Sequence, residues 1–186
     1  MAAVGGRIRD RLWEVALDQH GYVTSADARE LGINVVELGK LSSRGQIERV
    51  GYGIYRFDKL PTTPLDPYIL AVLWAGGRGV LSHDTAIELY EFAEVNPDRI
   101  HLTVPLGYRP RRRGGALYTV HHQSLDQSQT RRHEGIRIVK PVVAIDQVID
   151  SNVASHLVRQ AIVTARARGQ ISMADLDRLV AKLEAR

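Results

Sequence analysis

The chain has 186 residues, enough for one domain or two small ones, and 44% of them are hydrophobic, as in ordinary globular proteins. No run approaches the ~18 apolar residues of a membrane span, and the N-terminus has no apolar core for a signal peptide, so we expect a cytoplasmic protein. Zero cysteines exclude disulfides and thiolate zinc sites, while a net charge of +4 permits a polyanionic partner without requiring one.

Two helices and a turn are predicted near the N-terminus. Apolar residues recur at helical spacing from about Arg7 to Gln19, which predicts a first helix. Thr24 or Ser25 is placed to cap a second helix that runs through Glu30. Gly32 then breaks this helix where the chain must bend sharply.

A third helix and a hairpin follow the turn. Asn34 is placed to cap the helix, which has an apolar stripe formed by Val35, Leu38 and Leu41. Short β-rich runs at 47–50 and 54–57 flank Gly51-Tyr52-Gly53, a hairpin signal with a three-residue loop. Two helices joined at a Gly turn and followed by a hairpin are the layout of a winged helix-turn-helix, which places one helix in a DNA groove.

Three prolines within residues 59–67 predict an extended linker between this domain, at 1–58, and a second domain at 68–186. The second domain is predicted to mix helices at 68–75, 83–92, 141–149, 154–168 and 173–185 with strands at 100–104, 117–121 and 136–139. The predicted fold class is therefore α+β, an N-terminal winged helix-turn-helix followed by a mixed α/β domain with a helical C-terminus.

Candidate DNA contacts lie on the third helix and the hairpin. If Leu38 and Leu41 face the core, Val36, Lys40 and Ser43 face outwards and can reach a thymine methyl, a phosphate or a base edge. The helix has no Arg, Asn or Gln at its centre, so base readout should be modest, and a solvated face of a packing domain remains the alternative. The predicted contacts in this domain are Asn34, Val36, Lys40, Ser43, Arg44, Arg49, Tyr52 and Arg56.

Positive charge is concentrated in the second domain. Residues 1–60 carry nine basic and eight acidic side chains, whereas residues 101–140 carry eight and two. Proline and paired glycines predict a mobile loop with four arginines that can pair with phosphates or enter a minor groove: Arg109, Arg111, Arg112 and Arg113. A solvated hairpin loop or a contact with an acidic protein is the alternative. We expect tight DNA binding to need this loop, so that a fragment ending near Lys59 binds poorly.

No catalytic, metal or cofactor site is predicted. Ser82-His83-Asp84 has the letters of a triad, but adjacent residues at a helix start are not expected to face one another. The seven histidines show no metal-ligand spacing with carboxylates. The closest enzymatic alternative is a small nuclease of the mismatch-repair type, which needs carboxylates clustered on strand ends, and the strands at 100–104 and 117–121 contain none.

Three segments carry a resemblance to a known family. GVLSHDTAIELY at 79–90, IHLTVP at 100–105 and IVKPVVAID at 138–146, placed after the winged helix and the proline linker, resemble the AbiEi-type antitoxins of type IV toxin–antitoxin systems. The resemblance implies an autorepressor that binds operator repeats in double-stranded DNA near its own promoter. It also implies a cognate nucleotidyltransferase-type toxin.

Two alternatives to an antitoxin remain open. One is a general winged-helix transcriptional regulator without a toxin partner, and the other is a protein-interaction module. The sequence has no heptad seam that would predict a coiled-coil dimer, so a monomer or a weak dimer is expected.

Overall fold

The computed structural model describes residues 2–111, 113–151 and 153–186, with side chains from Arg7 onward. The chain forms two compact units, one ending at Trp74 and one from Ala75 to Arg186. Eight α-helices and two β-sheets within the described residues make the protein α+β. None of the described helices combines the length and the apolar character that crossing a membrane requires.

The first unit contains four helices and a small sheet. Its elements are α1 (Ala2–Asp18), β1 (Tyr22–Thr24), α2 (Ser25–Glu30), α3 (Val36–Ser43), β2 (Glu48–Gly51), β3 (Ile54–Arg56) and α4 (Asp66–Trp74). The three strands are antiparallel in the order β1-β3-β2. The sequence did not predict β1, because three residues are too few to show a period of two. Helix α4 starts at Asp66, inside the segment 59–67 that was predicted to be an extended linker.

Local capping explains where the helices of this unit begin. Thr24 accepts backbone N–H groups of α2, and the Asp27 carboxylate accepts the N–H of Thr24 in return, which completes a capping box. Asn34 Oδ1 accepts the N–H of Val36 at 3.0 Å, so the Asn34 side chain caps α3, although the helix begins one residue later than predicted and Val35 occupies the N-cap position. The helices and strands enclose one apolar core, formed by Leu12, Ala16, Val23, Ala28, Ile33, Leu38, Leu41, Ile47, Tyr55 and Phe57.

The hairpin differs from the prediction in its turn. The register shifts between Arg49 and Gly51, which leaves a bulge in β2 and a turn of two residues, Tyr52 and Gly53, instead of three. Gly53 has φ of 68°, and a Cβ there would lie 3.0 Å from the Ser25 hydroxyl. The Ser25 N–H also donates to the Gly53 carbonyl at 2.9 Å. The turn is therefore held against the start of α2.

The second unit consists of a five-stranded mixed sheet and four surrounding helices. Its elements are β4 (Val80–Leu81), α5 (His83–Leu89), β5 (Ile100–Val104), β6 (Tyr118–His122), β7 (Thr130–His133), β8 (Ile136–Val139), α6 (Pro141–Ile149), α7 (Ser155–Ala167) and α8 (Met173–Glu184). The strand order is β6-β5-β4-β8-β7. Two of the strands, β4 and β7, were not predicted from the sequence, since β4 has two residues and β7 is polar throughout.

Two of the four strand pairs are parallel, β5 with β6 and β4 with β8. A parallel pair of neighbours requires the chain to cross back to the start of the next strand. The segment between β5 and β6, which holds the arginine-rich stretch, is therefore a crossover connection and not the hairpin loop considered from the sequence. The core beneath the sheet is fully buried and includes Leu81, Ile87, Leu102, Ile138, Ile145 and Ile162.

Candidate nucleic-acid interface and histidine cluster

Helix α3 separates into a buried and an exposed face. Leu38 is 0% exposed, whereas Val36 is 60% exposed and Lys40, Ser43 and Arg44 also face solvent. Lys40 Nζ lies 2.7 Å from a Glu37 carboxylate oxygen. This ion pair is exposed, and exposed pairs contribute little to stability, so Lys40 can exchange Glu37 for a phosphate. The helix thus presents short apolar and polar side chains with cations toward its C-terminal end.

The hairpin presents a second exposed group. Tyr52 is 73% exposed at the turn. Arg49 is exposed on β2, and its Nε donates to the Gly51 carbonyl at 3.4 Å. Both side chains are where the sequence placed them, at the tip and on the outer strand of the hairpin.

Arg56 requires a correction, because it is buried. It is 7% exposed, its Nε lies 3.5 Å from Asp66 Oδ2, and its Nη2 donates to the Leu60 carbonyl at 2.6 Å. Its guanidinium also lies over the Tyr22 ring, whose hydroxyl donates to Asp66. Arg56 therefore holds the start of α4 and cannot reach a phosphate.

The Asp66 carboxylate completes this buried group. Partial burial disfavours its ionised form, but hydrogen bonds from Tyr22 and Thr63, together with the Arg56 charge, hold the pKa of Asp66 below its usual value. Burial and the same carboxylate raise the pKa of the Tyr22 hydroxyl. The group is therefore a charged Arg–Asp pair with a neutral tyrosine.

The arginine-rich connection is partly anchored. Arg109 Nη1 donates to the Leu106 carbonyl at 2.8 Å and lies 2.8 Å from His122 Nδ1. Arg111 and Arg113 are exposed, and Arg112 lies outside the described residues. The connection thus keeps cations at the surface of the second unit, with Arg109 folded back toward β6.

Three histidines of the second unit come together although they are far apart in sequence. His83 begins α5, His101 lies on β5 and His121 lies on β6, and one nitrogen from each lies within 4.8 Å of the other two. His101 Nδ1 is 3.3 Å from His121 Nε2, and the His83 and His121 rings stack with centroids 3.5 Å apart. Asp84 Oδ2 lies 3.3 Å from His101 Nδ1.

Strand pairing brings these side chains together. His121 lies opposite Thr103 in the parallel register of β5 and β6, and His101 lies two residues before Thr103. Because side chains two apart point to the same face of a strand, both histidines and Thr103 share one face of the sheet. The start of α5 follows β4 directly, which places His83 beside them.

A buried polar network supports His83. Its Nδ1 lies 3.0 Å from the Ser82 hydroxyl, which in turn bonds the Thr103 hydroxyl at 2.8 Å. The His83 N–H donates to Gln147 Oε1 at 3.2 Å. Contrary to the prediction, the Ser82 and His83 side chains contact one another, whereas Asp84 lies against His101. His83 adopts a left-handed backbone with φ of 51°. Such a conformation is uncommon outside glycine and is often found at functional sites.

The cluster is uncharged at neutral pH. Burial, together with the neighbouring histidines, lowers the pKa of His83 to about 3 and that of His121 to about 4. Burial also lowers the pKa of His101, although the Asp84 carboxylate acts in the opposite direction. Each imidazole therefore keeps one nitrogen lone pair.

Sequence spacing alone could not reveal this cluster. Its one sequence signal is polar alternation, since His101 and Thr103 on β5 and Thr119 and His121 on β6 alternate with apolar residues. No metal site was predicted, because that prediction rested on the spacing of histidines and carboxylates along the chain. In the fold, His101 and His121 meet through the parallel pairing of β5 and β6.

Comparison with known proteins adds a family match in the first unit. Residues 10–57 match the family model described as "Transcriptional regulator, AbiEi antitoxin". The resemblance to that family is confirmed over this segment. The match runs from the second half of α1 through β3 and supports a regulatory role.

The other comparisons are less informative. No curated protein matches the chain. Among solved structures, the chain is similar to the RV2827C protein from Mycobacterium tuberculosis, with 13% identity and a TM-score of 0.44 over 95% of this chain and 81% of that one.

Proposed function

We propose that the protein is a DNA-binding transcriptional regulator whose first unit acts as a winged helix-turn-helix. The observation that carries the proposal is the exposed face of α3, with Val36, Lys40 and Ser43 outward and Leu38 and Leu41 buried, within the segment that matches the regulator family. In this proposal α3 enters the major groove and the β2–β3 turn, with Arg49 and Tyr52, contacts the phosphate backbone.

Asn34 and Arg44 complete the proposed surface at the two ends of α3. Both are exposed, and the Asn34 side chain caps the helix N-terminus, where backbone N–H groups favour an anion. Arg109, Arg111 and Arg113 are proposed to add phosphate contacts from the second unit. A nearly neutral first unit supports this division, because non-specific affinity comes mainly from neutralised phosphates.

The proposed regulator is an antitoxin that represses its own operon and counteracts a nucleotidyltransferase-type toxin. The matching family is described both as a transcriptional regulator and as an antitoxin, which supports this assignment. A regulator without a toxin partner and a protein-interaction module are the competing functions, and different experiments separate them.

The DNA-binding proposal is tested by fluorescence anisotropy on the native upstream region over a range of salt concentrations. We expect the Lys40→Glu/Arg49→Glu variant to bind at least about tenfold more weakly, since two phosphate contacts become repulsive. Arg159→Glu/Arg166→Glu is the control matched for charge, because both arginines are exposed on α7 and the ion pair of Arg159 with Glu184 is long, at 3.9 Å. Wild-type binding that does not change with salt would rule out this function.

The antitoxin proposal is tested by co-expression with the product of the adjacent gene. We expect the full chain to relieve growth arrest, and the Lys40→Glu/Arg49→Glu variant to retain relief while losing repression of an operon reporter. Relief without any repression would favour an interaction module. Repression without relief would favour a general regulator.

A further inference from the structure

We propose that His83, His101 and His121 form a binding site for a divalent transition-metal ion, with Zn²⁺ as the preferred ion. The site lies in the second unit and is independent of the DNA-binding proposal. Three nitrogens from separate elements lie within 4.8 Å of one another. Two ligand nitrogens of a tetrahedral zinc site are about 3.3 Å apart for Zn–N bonds of about 2.0–2.1 Å. The His101 Nδ1 to His121 Nε2 distance of 3.3 Å agrees with that geometry.

The ligand types of the cluster suit a transition metal. Imidazole nitrogens are good ligands for zinc, copper and nickel, and three of them converge here from α5, β5 and β6. His101 Nδ1 and His121 Nε2 lie 3.3 Å apart and share one proton in an N–H···N hydrogen bond. A cation between them replaces that proton and gains the nearby Asp84 carboxylate, whose Oδ2 lies 3.3 Å from His101 Nδ1.

The surroundings orient the ligands as well. A ligand histidine in a zinc site usually donates its second ring N–H to an oxygen. The Ser82 hydroxyl oxygen, 3.0 Å from His83 Nδ1, is placed to accept that proton, which leaves Nε2 of His83 for the metal. Ser82 is itself fully buried and bonded to Thr103. The Ser82–Thr103 pair therefore holds the His83 ring on its Nδ1 side.

Binding requires one local movement. The His83 and His121 rings lie nearly parallel, with 12° between their planes, whereas ring nitrogens bind a metal along lone pairs that lie in the ring plane. The two rings must tilt apart to share an ion. Three protein ligands leave a fourth position for water or for the Asp84 carboxylate. Mg²⁺ and Ca²⁺ prefer oxygen ligands, so this nitrogen-rich set should discriminate against them.

The test is titration of the full, untagged chain, first stripped with a chelator, with Zn²⁺ by calorimetry and with Co²⁺ by visible absorption. We expect one equivalent of Zn²⁺ to bind, tetrahedral Co²⁺ absorption bands to appear and Mg²⁺ to leave the protein unchanged. His121→Ala should weaken Zn²⁺ binding by at least about 100-fold, since loss of even an outer-shell partner costs 10- to 100-fold. His122→Ala is the matched control, because His122 is the next residue on β6 and contacts Arg109 instead of the cluster. The affinity of the His122→Ala variant for Zn²⁺ should stay within about twofold of the wild-type value.

NMR of the wild-type chain gives a readout that does not depend on the folding of a variant. We expect Zn²⁺ to shift the ring resonances of His83, His101 and His121 as the stack opens, and to leave those of His122 and His133 in place. Absence of stoichiometric Zn²⁺ binding would overturn the proposal. So would equal weakening in His121→Ala and His122→Ala, or ring shifts confined to other histidines.

Discussion

The proposed DNA surface and the histidine cluster are built in opposite ways. The surface of α3 and the hairpin comes from one continuous segment, 34–52, and its residues are exposed at positions that follow from helical and strand periodicity. The cluster takes His83, His101 and His121 from three elements and depends on the parallel register of β5 and β6. A surface formed by one continuous segment can be predicted from the sequence. A site formed by residues from separate elements can be predicted only when the order of the strands in the sheet is known.

The two regions also differ in what their polar groups contact. Lys40 and Arg49 make exposed, weak contacts that a ligand can replace. Ser82, Thr103 and Gln147 are buried and bonded to one another or to His83. Substitutions in the first region should therefore change binding with little effect on stability, and substitutions in the second should change stability directly.

The largest expected effect is a loss of stability on substitution of Arg56, which lies next to the proposed DNA surface but is buried. Arg56→Ala should lower the free energy of unfolding by about 3 kcal/mol, because it leaves the Asp66 carboxylate mostly buried without its cation. Arg49→Ala, on the neighbouring strand but exposed, should change it by less than about 0.5 kcal/mol. Urea unfolding measures both. Equal effects would place both arginines in the same environment and contradict the separation.

An intermediate effect tests the second region. Thr103→Val keeps the side-chain shape but removes the hydroxyl that bonds Ser82, and we expect a loss of about 1–2 kcal/mol in the free energy of unfolding. Thr119→Val is the control, since Thr119 is only partly buried on β6, and its effect should stay below about 0.5 kcal/mol. If the two variants are equally stable, the hydroxyl network is not what supports His83.

The smallest expected effect tests whether the arginine-rich connection joins the first region in binding DNA. Arg111→Ala should lower the logarithmic salt slope of DNA binding by about 1, the value for one lost phosphate contact. The free energy of unfolding should not change, because the side chain is exposed. Arg159→Ala serves as the control. A slope that stays at the wild-type value would restrict the interface to the first unit.

Periodicity and capping residues predicted most of the helices. Thr24, one of the two predicted caps, does cap α2, and α6 and α8 start at Pro141 and Met173, where the sequence placed them. The missed strands, β1, β4 and β7, are short or polar and exist because neighbouring strands bond to them. The burial of Arg56 could not be predicted either, since its partner Asp66 lies ten residues away and was assigned to a linker.

The parallel pairing of β4 with β8 has a consequence for folding rate. Leu81 pairs with Ile138, so the sheet cannot close until a long intervening stretch of chain has been brought back on itself. The first unit pairs strands much closer in sequence and contains both tryptophans, Trp13 and Trp74. During refolding, tryptophan fluorescence should therefore recover before the far-ultraviolet circular dichroism is complete, and the late phase should belong to the unit that holds the histidines.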